Sequence, residues 1–277
     1  MTLHRPTSLD AALALLADGG VVLAGGTDVY PALRDAAPPD RMIDVTGIAG
    51  LRGIARTDSG WRIGAATTWT DVLRADLPPL FDGLKLAASE VGAMQIQNTG
   101  TLAGNLCNAS PAADGVPPLL ALDTQVVLAR EGRERRLPLG DFLQGPRQTA
   151  CRPDELMTAL EVPFAEDTGG FLKLGARRYL VISIAMIGVT VAAQQGRISR
   201  ARIAVGACSP VARRLDTLEA ALAGADARDV ADIVAQADLS VLTPIDDVRA
   251  PATYRTDAVR TLVRRALLQA MEVSNVA

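Results

Sequence analysis

Gln95-Ile-Gln-Asn-Thr-Gly100-Thr-Leu-Ala-Gly-Asn105-Leu-Cys-Asn-Ala-Ser110-Pro-Ala-Ala-Asp114 alternates small residues, amide side chains and one carboxylate, with almost no bulky core residue. Such a composition lets a ligand approach the backbone, because small side chains leave the N–H groups unshielded. The stretch reads as a loop without secondary structure, and a long loop of that kind in a compact domain is usually functional. A second glycine turn, Leu23-Ala24-Gly25-Gly26-Thr27-Asp28-Val29, follows directly on the apolar Val21-Val22. Taken singly, Gly25-Gly26 is a turn and Asp28 a helix N-cap. Taken as a pair, the two stretches point to a phosphate-bearing cofactor, with the Thr27 and Thr101 hydroxyls as extra donors. Asn105 and Asn108 can then bond along a polyol, and Asp114 can accept from ribityl or ribose hydroxyls. Neither stretch is a P-loop, and Gly100-Thr-Leu-Ala-Gly104 is not Gly-x-Gly-x-x-Gly, so P-loop and Rossmann readings lose support.

The chain has 277 residues, 49% of them hydrophobic, enough for a sizeable core and for two domains. A net charge of −3 argues against nucleic-acid binding, and the basic stretches Arg133 to Arg136 and Arg260 to Arg265 read as solvated faces. Neither a secretory signal nor an apolar run of roughly 18 residues is visible, so no membrane span and a cytoplasmic location are expected. The widely spaced Cys107, Cys151 and Cys208 suit neither a disulfide framework nor an iron–sulfur or zinc site. His4, the one histidine, reads as a surface residue near a frayed terminus, which leaves histidine-based acid–base chemistry and serine triads without support.

Along the chain, Thr7-Ser-Leu-Asp10 resembles a capping box and Leu9, Leu13 and Leu16 recur at helical spacing until Gly19-Gly20. Strands are expected at Val21 to Ala24, Arg41 to Val45, Trp61 to Ala65, Gln125 to Ala129 and Leu156 to Val162. Thr68-x-x-Asp71 caps a short helix, and Leu80 to Val91 forms a longer one. A boundary falls at about residues 163 to 170, separating 1–165 from 170–277. Beyond it, Phe171 to Arg177, Ile182 to Ala193 and Ile198 to Gly206 read as a three-stranded antiparallel sheet with a turn at Gln195-Gly196. Three helices follow, at about Ala212 to Ala223, Ala227 to Ala235 and Thr256 to Met271. The fold class is α+β.

Four motifs in order carry a family resemblance: Leu23-Ala-Gly-Gly-Thr-Asp28; Asn98-Thr-Gly-Thr-Leu-Ala-Gly-Asn105 running into Ala109-Ser-Pro-Ala-Ala-Asp114; Glu155-Leu-Met-x-x-Leu-Glu-Val-Pro163; and Lys173-Leu-Gly-Ala-Arg-Arg178. Together they resemble the FAD-binding medium subunit of the molybdenum hydroxylases, over the whole chain. The resemblance implies a p-cresol methylhydroxylase-type FAD domain in two subdomains, near residues 1–55 and 56–165, followed by a C-terminal domain. It implies non-covalent FAD contacted by Leu23, Ala24, Gly25, Gly26, Thr27, Asp28 and Val29, and by Gly100, Thr101, Leu102, Ala103, Gly104 and Asn105. Asn108, Asp114 and Lys173 complete the implied set, with no catalytic acid or base and no metal ligand on this chain. It further implies a small subunit with two [2Fe–2S] clusters, a large subunit with the molybdenum cofactor, assembly as a dimer of heterotrimers, and an external electron acceptor.

Two departures from the family pattern stand out. Ala103 replaces a glycine and would restrict the backbone if that position needs positive φ. The family's Asp after the paired arginines is absent from Arg178-Tyr-Leu-Val-Ile-Ser-Ile-Ala185, and Ser183 reads as a polar residue within a strand. Two rival readings stay open: a stand-alone flavin oxidoreductase of the same fold, and an FAD-free scaffold subunit.

Overall fold

A computed structural model describes residues 1–34 and 36–274. The chain divides into two units, and neither is one continuous piece. The first comprises Met1–Ala75, Ala93–Ala109 and Thr124–Phe164, the second Asp76–Gly92, Ser110–Asp123 and Ala165–Ala277.

In the first unit, strand Arg41–Asp44 lies between Thr2–His4 and Val21–Leu23, all parallel. Helix Leu9–Ala17 buries Ala12, Leu13 and Leu16 among Ile43, Val45 and Ile48. Its cap is Ser8, whose hydroxyl accepts from the Ala11 N–H at 3.2 Å; the expected box beginning at Thr7 is one residue out of place. His4 ends a paired strand, so the expectation of a frayed terminus is corrected.

A five-stranded antiparallel sheet completes this unit, in the order Ile54–Arg56, Gly60–Gly64, Leu156–Pro163, Gln125–Arg130, Arg133–Pro138. The two outer strands are absent from the sequence reading. Arg133–Pro138 carries charge because an unpaired edge is best blunted by it. Its Arg136 reaches Glu161 at 2.8 Å, and Arg62 reaches the same carboxylate at 3.1 Å. The stretch read as a solvated face is therefore solvated and also a strand.

In the second unit, strands Thr168–Leu174, Ala185–Gln194, Arg197–Gly206 and Arg213–Arg214 form an antiparallel sheet. The sheet has four strands rather than the expected three. The extra two-residue strand has no apolar alternation to announce it; Arg214 is held by Glu219 at 2.5 Å and Asp123 at 2.7 Å. Gln195 and Gly196 turn the hairpin at φ +52° and +75°, as a tight hairpin turn requires.

Alternation along the central strand decides what covers each face. Ile187, Val189 and Val191 join Val259, Val263, Ala266 and Leu267 of helix Ala252–Ser274 in one core. On the other face Gly188 admits helix Val116–Ala121, and Thr190 Oγ1 donates to the Ala121 carbonyl at 3.2 Å. A Cβ on Gly188 would lie 2.4 Å from Pro118 N and 2.5 Å from the Pro117 carbonyl carbon. Among the described residues no helix is long and apolar enough to cross a membrane.

Because rigid backbone occupies that space, Gly188→Ala is expected to destabilise the protein by about 1–3 kcal/mol through overpacking. Urea unfolding followed by circular dichroism measures the change, and an unaltered midpoint would contradict the packing described.

Candidate functional site

The two glycine stretches meet backbone to backbone within the first unit. A Cβ on Gly25 would sit 1.9 Å from the Thr99 carbonyl oxygen and 2.9 Å from Gly100 Cα, so only glycine fits. Gly26 is at φ +69°, in the left-handed region that glycine enters at no steric cost. From the other side, a Cβ on Gly100 would meet Ile96 O at 2.9 Å and Thr27 Oγ1 at 3.4 Å. Of the residues singled out, Leu23 is buried at the strand end, Ala24 through Thr27 are half-buried, and Val29 opens helix Val29–Leu33.

The segment before helix Trp69–Arg74 holds this contact from behind. The Trp69 N–H donates to the Gly100 carbonyl at 3.2 Å, and the Leu102 N–H donates to the Thr67 carbonyl at 3.0 Å. A full capping box at Thr68 and Asp71 fixes that segment, as expected from Thr68-x-x-Asp71. Arg52 forks onto the Asp71 carboxylate with two bonds of 2.9 Å. Partial burial pushes the Asp71 carboxyl up, but the Arg52 guanidinium and the Thr68 N–H and hydroxyl outweigh it and leave it below the ordinary carboxylate range.

The stretch opened at Gln95 is not an irregular loop; it forms helices Met94–Thr99 and Leu102–Asn108. Thr101 caps the second, its Oγ1 accepting from the Gly104 N–H at 3.0 Å, and Leu102 and Leu106 turn one face inward. Ala103 is an ordinary helical residue and is not among the positive-φ positions, so its methyl group is accommodated. The left-handed residue is Ala109 instead, at φ +46°. Most donors of this stretch serve the protein itself: Gly100 N bonds Ile96 O, Asn105 N bonds Thr101 O, and Gly104 N bonds the cap.

The free donors lie on the first turn. Among the described residues, the N–H groups of Gly25, Gly26 and Thr27 donate to no protein acceptor. Asn105 Oδ1 is buried with no partner among the described residues. Three consecutive N–H groups without a protein acceptor suit an anion, and an orphaned amide oxygen suits a hydroxyl donor. A phosphate- and polyol-bearing cofactor matches both.

Asp28 stands at the N-cap position of Val29–Leu33 but makes no capping bond. Its Oδ1 accepts instead from Asn108 Nδ2 at 2.8 Å, tying the first stretch to the second. Asn108 is held from its other end by Arg147, whose guanidinium donates to Asn108 Oδ1 and, at 3.3 Å, to its carbonyl. Nothing in the spacing of the sequence announces Arg147, which arrives from a tight turn far along the chain.

In the second unit Asp114 and Lys173 pair with one another. Lys173 Nζ lies 3.0 Å from Oδ1 and 3.1 Å from Oδ2 of Asp114, and Ser183 Oγ donates to Oδ1 at 3.2 Å. Burial pushes the Asp114 carboxyl above its usual range, against the opposing pull of Lys173 and Ser183. Ser183 is 2% exposed and precedes strand Ala185–Gln194 rather than lying within a strand. Among the described residues no group of three or more His, Cys, Asp or Glu can hold a metal ion.

Residues 1–165 match the family described as "FAD binding domain in molybdopterin dehydrogenase", and residues 171–270 match "CO dehydrogenase flavoprotein C-terminal domain". The chain is 30% identical to the carbon monoxide dehydrogenase medium chain of Hydrogenophaga pseudoflava, covering 95% of this chain and 94% of that one. It is 32% identical to the 6-hydroxypseudooxynicotine dehydrogenase complex subunit alpha of Paenarthrobacter nicotinovorans, covering 95% and 92%. A solved structure of the Hydrogenophaga pseudoflava carbon monoxide dehydrogenase superposes with a TM-score of 0.90 at 29% identity, covering 99% of this chain and 98% of that one.

Gly25→Ala is expected to cost about 1–3 kcal/mol, because the new methyl group must move backbone rather than a side chain; thermal unfolding measures it. Asp71, with its carboxyl held low, stabilises the fold fully above the unfolded carboxylate pKa of about 4 and progressively less as pH falls through the lower folded value. Acid unfolding of Asp71→Asn should accordingly be flatter with pH in that range than that of the parent; identical profiles would remove Asp71 from the account.

Proposed function

The chain belongs to the FAD-binding medium subunits of the molybdenum hydroxylases, and from that premise we propose that it is the electron-transfer subunit of such a complex. It is an FAD-dependent oxidoreductase subunit. The partners proposed are a small subunit carrying [2Fe–2S] clusters and a large subunit carrying the molybdenum cofactor, in a dimer of heterotrimers. FAD, when bound, supplies both one-electron and two-electron chemistry, which lets the chain take electrons from a partner's clusters and pass them to an external acceptor.

What supports this reading is a pair of features in the first unit: three N–H groups, on Gly25, Gly26 and Thr27, without a protein acceptor among the described residues, and an orphaned Asn105 oxygen on the second stretch. In this proposal the free N–H groups and the Thr27 hydroxyl bind the diphosphate, while Leu23, Ala24, Asp28 and Val29 shape the turn that presents them. Thr101 adds its hydroxyl hydrogen, and Gly100, Leu102, Ala103 and Gly104 keep the facing surface small. Asn105 Oδ1 accepts from a ribityl hydroxyl, and Asn108 contributes what its amide retains after bonding Asp28 and Arg147. Asp114 and Lys173 are proposed as further cofactor contacts by their places in the motifs. The chain's own task is to bind, orient and shield; none of these residues needs to move a proton.

The flavin spectrum of the purified chain tests the reading. Yellow protein, or colourless protein that takes up FAD stoichiometrically, is the expected result; a chain that cannot be reconstituted sinks it. Gly104→Val tests the placement, since a Cβ there lies 2.8 Å from Thr101 Oγ1. Displacing that cap should cost about 1 kcal/mol of stability and abolish FAD retention. Undiminished flavin content would move the diphosphate elsewhere.

A further inference from the structure

We infer that Arg147 is a positioning residue of the cofactor site: together with Asp28 it locks the Asn108 side-chain amide in one orientation and so fastens the second glycine stretch to the first. The inference rests on FAD as the ligand of the first unit.

The two ends of an asparagine amide are nearly equal in shape and opposite in hydrogen-bonding character, one an acceptor and the other a double donor. Here a cation faces the oxygen and a carboxylate faces the NH2 group. Turning the amide over would set donors against the guanidinium and acceptor against the carboxylate, losing two charge-assisted bonds at once. Neither charged neighbour alone imposes both constraints. What remains of the Asn108 amide for a ligand is then one N–H and one lone pair in fixed directions.

The backbone at Arg147 supports the assignment. It sits at φ +60°, in the left-handed region where glycine is the favoured residue. Its N–H donates at 2.9 Å to the carbonyl of Ala109, itself at φ +46° and adjacent to Asn108. Two residues with side chains are thus held in a sparsely populated conformation against one another, at the point where the helix of the second stretch ends. A strained residue that persists at a binding loop calls for a functional explanation. Glycine would relieve the conformation, yet the position carries a long cationic side chain bonded twice to Asn108.

That φ makes a clean test available. In the full-length chain, R147G removes the guanidinium without demanding a new backbone conformation, so the apoprotein should unfold at the same temperature or higher. FAD should dissociate about tenfold more readily, read from quenching of added FAD fluorescence. R147K, which keeps a cation, should recover part of the loss. Because the residue acts through Asn108, N108A should weaken FAD as well, and R147G placed in the N108A background should add nothing. Unchanged FAD affinity in R147G, or a full additional loss in the N108A background, overturns the inference while leaving the FAD reading intact. A parent chain that takes up no FAD overturns both.

Discussion

The closeness of Gly25 to the Thr99 carbonyl is the constraint from which the first unit's site follows. Carbonyl oxygen occupies the space that any Cβ would need. Once the two stretches are pressed together there, Thr27 falls against Gly100 and Asp28 comes within reach of Asn108. Strand Val21–Leu23 fixes one side of the contact, and the capped segment at Thr67 to Asp71 fixes the other. N–H groups held this way are donors whose directions are set before any anion arrives, which lowers the ordering cost of binding.

The parts of the fold legible from sequence were those for which chemistry leaves one solution. Gly25, Gly26 and Gly100 had to be glycines, and Thr68 with Asp71 had to cap. Other parts had several solutions and stayed hidden. Leu102–Asn108 is built from small and amide residues with two buried leucines, too few apolar positions to show a helical period beside the composition of a loop. The strands Ile54–Arg56 and Arg133–Pro138 are edges, where charge is favoured and alternation is blurred. Ser183 and Arg147 owe their places to partners far away in the chain, and no local pattern records such pairings.

The second unit uses buried charge as a fastening. Lys173 and Asp114 each satisfy the other, with Ser183 as a third member. Arg255, 2% exposed, donates to the Ile184 carbonyl at 2.6 Å and to the Ala207 carbonyl at 3.2 Å, and its other arm reaches Asp247 at 2.7 Å. The residue following Ser183 is therefore anchored by a guanidinium. Removing one member of such a set strands a charge away from water, so these positions tolerate loss far less well than an exposed ion pair.

The discontinuity of the two units has a consequence for synthesis. Helices Asp82–Glu90 and Val116–Ala121 leave the ribosome early, yet the glycines against which they close, Gly170 and Gly188, come much later. Until strands Thr168–Leu174 and Ala185–Gln194 are made, both helices must wait with apolar surface uncovered. A fragment ending near residue 165 would remain in that state permanently, and transiently exposed surface of this kind is what chaperones bind and what seeds aggregation. The second unit is thus completed only when the last part of the chain has emerged, whereas every segment of the first unit precedes residue 165.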